Sequence, residues 1–98
     1  MKLEALYDHL LTRATRSGQD QGADLPGGAR LAVRVKDRVV TLSIARKDKP
    51  VGDRELITFR ACCQVPAGAT RLPAEGQERL TRDGATWHRV AFRWEEAA

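Results

Sequence analysis

The stretch Ala29-Arg30-Leu31-Ala32-Val33-Arg34-Val35-Lys36-Asp37-Arg38-Val39-Val40-Thr41-Leu42-Ser43-Ile44-Ala45 decides the fold. Leu31, Val33 and Val35 alternate with Arg30, Ala32, Arg34 and Lys36, and beyond Asp37-Arg38 the residues Val40, Leu42 and Ile44 alternate with Thr41, Ser43 and Ala45. Successive side chains of a strand point to opposite faces, so this period of two sorts each half into one apolar and one polar face. A two-residue turn at Asp37-Arg38 sets Val35 opposite Val40, Val33 opposite Leu42 and Leu31 opposite Ile44, all on one side. Pattern and register agree, and two antiparallel strands are predicted at about 29–36 and 39–46.

Toward the C-terminus, Ile57, Phe59, Ala61, Cys63 and Val65 alternate with Leu56, Thr58, Arg60 and Cys62, which reads as a third strand over 54–65. Pro66-Ala67-Gly68 ends it, and a loop including Pro73 runs to about Gly76. A last hairpin is predicted from strands at 77–81 and 85–94 around Arg82-Asp83-Gly84. A two-residue Asp-Gly turn pairs Leu80 with Trp87, whereas a three-residue loop pairs Leu80 with Thr86 and Glu78 with His88. The second register is preferred, because it gathers Leu80 with Val90, Phe92 and Trp94 on one face.

Toward the N-terminus, Leu3, Leu6, Tyr7, Leu10, Leu11 and Ala14 recur at spacings of three and four, the stripe of an amphipathic helix over 2–17. Glu4 and Asp8 near its start and Arg13 and Arg16 near its end complement the helix dipole, and Gly18 is placed to stop it. Residues 18–28, rich in Gly with Pro26, read as a connection. The expected fold is α+β within a single domain, 1–98: an N-terminal amphipathic helix packed on a five-stranded antiparallel meander sheet. The same order of elements also suits a small open barrel.

Composition narrows the function classes. At 42% hydrophobic the 98 residues can form a packed core. No run approaches the ~18 apolar residues of a membrane span, and the opening residues lack the apolar run of a signal peptide, so the chain is expected to be cytoplasmic. Cys62 and Cys63 are adjacent, which suits two reduced, structural thiols better than a disulfide framework. The net charge of +4 is concentrated in the strand region, where 14 of the 17 basic residues follow residue 28, and 13 of the 17 are Arg.

No catalytic constellation is legible. Two histidines, His9 and His88, have no partners at motif spacing, and no nucleophile elbow, zinc-binding His pair or phosphate-cradling loop is present. Gly27-Gly28 precedes a strand and not a helix. Adjacent strand cysteines diverge, so Cys62 and Cys63 do not form half of a zinc site. No cofactor, no metal and no enzymatic activity are expected.

The feature above background is the outward sheet face, which is expected to display Arg30, Arg34, Arg60, Trp87, Arg89 and Arg93, with Leu56 and Thr58. Trp87 falls there because Val90, Phe92 and Trp94 claim the other face. Arg, Trp and Leu on an exposed sheet match a protein interface, so the first expectation is an accessory or adaptor protein that docks on a protein partner or self-associates. The second is a module for single-stranded nucleic acid, with guanidinium groups on phosphates and the indole stacked on a base. The plain alternative is a solvated face whose Arg side chains pair with Glu55, Glu78 or Glu95.

Overall fold

A computed structural model describes residues 2–73 and 76–97. In chain order the elements are α1 (Leu3–Ser17), β1 (Gln21–Asp24), β2 (Ala29–Lys36), β3 (Val39–Lys47), α2 (Asp53–Cys62), β4 (Thr70–Leu72), β5 (Glu78–Arg82) and β6 (Ala85–Glu95). The class is α+β, with an N-terminal helix on an open antiparallel sheet. Its strand order is β1-β2-β3-β6, and both β4 and β5 lie on the far edge of β6.

The deciding hairpin folds in the expected register, with Val35 opposite Val40, Val33 opposite Leu42 and Leu31 opposite Ile44. Asp37 and Arg38 both take positive φ, 52° and 66°, as a two-residue turn matched to strand twist requires. β3 then pairs with β6, which continues the same apolar rows: Trp94 lies opposite Val40, Phe92 opposite Leu42 and Val90 opposite Ile44. Onto this inner face α1 packs Tyr7, Leu10 and Ala14, and α2 packs Phe59. α1 ends at Gly18, whose left-handed backbone (φ 69°) lets its N–H donate to the Ala14 carbonyl. The Tyr7 hydroxyl donates to the Ser43 carbonyl at 2.8 Å, fixing the helix to the central strand. Burial pushes that hydroxyl's pKa up, with Cys63 and Cys62 adding to the effect, so it remains a donor.

Three details depart from the sequence reading. The strand expected over 54–65 is the helix α2 followed by an extended segment. Residues 56–63 satisfy both periods, and the ends decide between them. The Gly52 N–H donates to the Glu55 carboxylate, Asp53 and Glu55 occupy the first turn and Arg60 the last. The helix separates two residues that a strand would put on one face: Phe59 is 1% exposed and Ile57 68%. Second, the C-terminal hairpin takes the tighter register, with Leu80 opposite Trp87, Arg79 opposite His88 and Glu78 opposite Arg89. Asp83 (φ 52°) and Gly84 (φ 76°) supply the two positive-φ residues of that turn, and the Glu78–Arg89 pairing replaces the apolar grouping of Leu80 with Val90.

Third, β1 and β4 form within segments read as connections. Neither has an apolar alternation of its own; each exists by pairing with an edge, β1 on β2 and β4 on the end of β6. Among the described residues the sheet therefore has six strands, and two helices contribute to the core on its inner face. Residues 74 and 75 of the expected loop lie outside the described residues.

Polar ties hold the start of α2 and the segment ahead of it to the rest of the fold. Arg46, at the end of β3, donates to the Glu55 carboxylate at the start of α2 and to the Gly27 carbonyl at 2.7 Å. The Gln77 side-chain amide both accepts from the Val51 N–H (3.0 Å) and donates to the Val51 carbonyl (3.3 Å), standing in for a strand partner ahead of α2.

Candidate functional site

Alternation along β2, β3 and β6 turns a second set of side chains away from the helices. Cross-strand register arranges them in rows. Arg30 lies opposite Ala45 and Ala45 opposite Arg89, with Asp24 and Glu78 at the two ends of the row. The next row is Gly22, Ala32, Ser43 and Ala91, and the one beyond it Arg34, Thr41, Arg93 and Leu72. At the other end Lys47, Trp87 and Leu80 line up. Five of the six expected residues, Arg30, Arg34, Trp87, Arg89 and Arg93, therefore share one face. Arg60 does not: it is exposed on α2, and Leu56 and Thr58 leave the face with it, because a helix replaces the strand that was to carry them.

The middle row carries only small side chains, so the face is hollow where most sheets are filled. Ser43 and Ala91 are 6% and 3% exposed although they point away from the helices. Two connected clefts result. The larger, about 930 Å³, is lined by Arg30, Ala32, Ser43, Ala45, Trp87 and Arg89 together with the β5–β6 turn; the smaller, about 460 Å³, adds Arg34, Thr41 and Arg93, and Arg82 borders both. Gly22 contributes by having no side chain. A Cβ there would come within 2.8 Å of the Arg30 guanidinium, which crosses over it to reach Asp24.

Carboxylates from the rim meet the guanidinium groups. Arg30 pairs with Asp24 at 2.8 Å, Arg34 with Asp20 at 3.7 Å, Arg89 with Glu78 at 2.8 Å and Arg93 with the same Glu78 oxygen at 4.0 Å. Arg89 donates to that oxygen from both Nε and Nη2. Arg82 makes no ion pair among the described residues. Of these acids the sequence reading names Glu78 alone, as a partner for the Arg face; Asp20 and Asp24, with Arg82 and Lys47, are not singled out there. The Asp-Gly turn register, taken in place of the longer loop, would have turned Glu78 and Arg82 onto this face beside Arg89.

The face offers guanidinium groups, which donate hydrogen bonds and pair with anions. Among the described residues no group of three or more His, Cys, Asp or Glu side chains is placed to hold a metal ion. The two thiols lie elsewhere, at the end of α2, where Cys62 is the last helical residue and Cys63 follows it, both half-buried. Burial pushes Cys63 up to about 12, with Cys62 next to it adding to the shift, and burial also raises Cys62, helped by Glu4 and Asp8. Both stay protonated near neutrality and lack a nucleophile's activation. Among the described residues no helix is long and apolar enough to cross a membrane. No protein-family model, no curated protein and no solved structure matches this chain.

Proposed function

We propose that the protein is a non-catalytic accessory or adaptor protein that docks a protein partner in the hollow outward face of its sheet. The observation that carries this reading is the floor of Ala32, Ser43, Ala45 and Ala91 between Arg rows: small side chains leave room for a partner, and planar guanidinium groups border it. Depth with a polar rim is the usual anatomy of a recognition surface.

The test is filling the hollow. Ala32 borders both clefts and is partly exposed, so Ala32→Trp is expected to keep the fold, checked by circular dichroism, and to lose the proteins that the full chain retains in affinity capture. Identical capture by both forms rules the reading out.

Trp87 supports a second reading, single-stranded nucleic acid. It is half-buried in the cleft two residues from Arg89, where one base could stack. Anisotropy of a labelled oligonucleotide at low salt tests it; absence of binding there rejects it, because phosphate contacts are strongest at low salt.

A further inference from the structure

We infer that the segment received by the outward face is acidic and extended, with two carboxylates four residues apart and a small residue midway between them. The inference rests on the docking reading and names the chemistry of its partner.

Charge is the first argument. Among the described residues the smaller cleft is lined by Arg30, Arg34, Arg82, Arg89 and Arg93 against one lining carboxylate, Asp20. Asp24 and Glu78 offset part of this charge, but they come from the edge strands β1 and β5, while four of the five Arg come from β2 and β6. A second copy of this chain is a poor occupant, because pairing by a twofold axis sets these guanidinium groups against their own images. An acidic partner has no such conflict.

Spacing is the second argument. Arg30 and Arg34 are four residues apart on β2, and Arg89 and Arg93 are four apart on β6, with the Ala32–Ser43–Ala91 row between them. Strand rise puts the two Arg rows about 13 Å apart. An extended peptide has the same rise, so its residues i, i+2 and i+4 point to one side and match Arg row, small-residue floor and Arg row. The face also shows that its guanidinium groups accept carboxylates, in the Asp24, Asp20 and Glu78 pairs. Those acids hold the places an incoming carboxylate would take. Nucleic acid fits less well: Trp87 is the only aromatic side chain that the described residues of the face offer, since Phe92 and Trp94 point inward.

The experiment uses the full chain and three labelled probes of equal charge at low salt. One is an extended peptide with Glu at i and i+4 and Ala at i+2; one has the same composition with the two Glu adjacent; one is a short single-stranded oligonucleotide. The spaced peptide is expected to bind best. Arg89→Gln and Arg93→Gln are each expected to weaken it two- to five-fold, roughly the worth of one partly exposed ion pair. Glu78→Gln, by freeing Arg89, is expected to tighten it by a similar factor. This gain cannot come from a damaged fold, so the proposal stays testable if an Arg variant unfolds. No saturable binding of the spaced peptide, equal binding of the adjacent-Glu peptide, or tighter binding of the oligonucleotide overturns the inference. If the peptide fails while Ala32→Trp still abolishes partner capture, docking stands and only the acidic, extended segment is lost; if Ala32→Trp changes nothing either, both readings fall.

Discussion

Glu55 links two elements through one carboxylate: it accepts from Arg46 at the end of β3 and from the Gly52 N–H ahead of α2. The Arg46 hydrogen bond is the main reason its carboxyl is held below the usual 4.5; partial burial works the other way, and the Gly52 N–H adds to the lowering. Because the folded-state value is the depressed one, the stabilisation is complete above the unfolded-state value and is lost as pH falls through the folded one. Stability of the wild type is therefore expected to drop more steeply below about pH 4.5 than that of Glu55→Gln, measured by urea denaturation across the acid range. Parallel pH profiles of the two proteins would contradict this coupling. Glu55 also shows what a linear reading loses. Its place three residues after Gly52 signals a helix start, whereas the apolar alternation from Ile57 to Val65 suggests a strand; the capped ends decide for the helix, which then buries Phe59 against Tyr7 with ring centroids 5.9 Å apart.

At the scale of elements, the β2–β3 hairpin was legible because two independent signals coincide, the alternation and a turn that brings the alternating residues into register. Its turn is strained. Arg38 sits at φ 66°, a left-handed conformation that costs a side-chain-bearing residue about 1–2 kcal/mol relative to glycine. Arg38→Gly removes that strain and also the exposed hydrogen bond from Arg38 to the Glu96 carbonyl (2.9 Å), and is expected to raise stability by about 0.5–1 kcal/mol, read from the denaturation midpoint. The C-terminal hairpin was misread by one residue of loop. Grouping Leu80 with the inner apolar residues looked favourable, but Asp83-Gly84 suits the two-residue turn and Glu78 gains Arg89 as a cross-strand partner. β1 and β4 were illegible for another reason: short polar segments form strands only when an open edge is offered, and edges belong to the tertiary structure.

Across the whole molecule, protection should follow the sheet order. β3 is paired along both sides, by β2 and by β6, and buries Val40, Leu42 and Ile44 in the core, whereas among the described residues β1 and β4 each pair along one side only. Amide hydrogen exchange is expected to be slowest in β3 and fastest in β1, β4 and the β5–β6 turn. Protection of β1 equal to that of β3 would mean that the sheet opens only as one unit. The candidate site is a property of this same scale. Its Arg residues could be assigned to a face by counting in twos, which placed five of six. The hollow between them depends on β2, β3 and β6 being adjacent, so that Ala32, Ser43 and Ala91 meet in one row, and that adjacency crosses some fifty residues of chain.

β6 holds β3 along one edge and both β4 and β5 along the other, yet it is the last element in the chain. A ribosome therefore delivers β6 after the three strands that pair with it. Until it emerges, the nascent β3 has a bare edge and its apolar row lacks Val90, Phe92 and Trp94, while β4 has no partner at all. The sheet cannot close until residues 85–95 have been made, and a polypeptide stopped before residue 85 would present that uncovered edge to chaperones and to other unfinished copies.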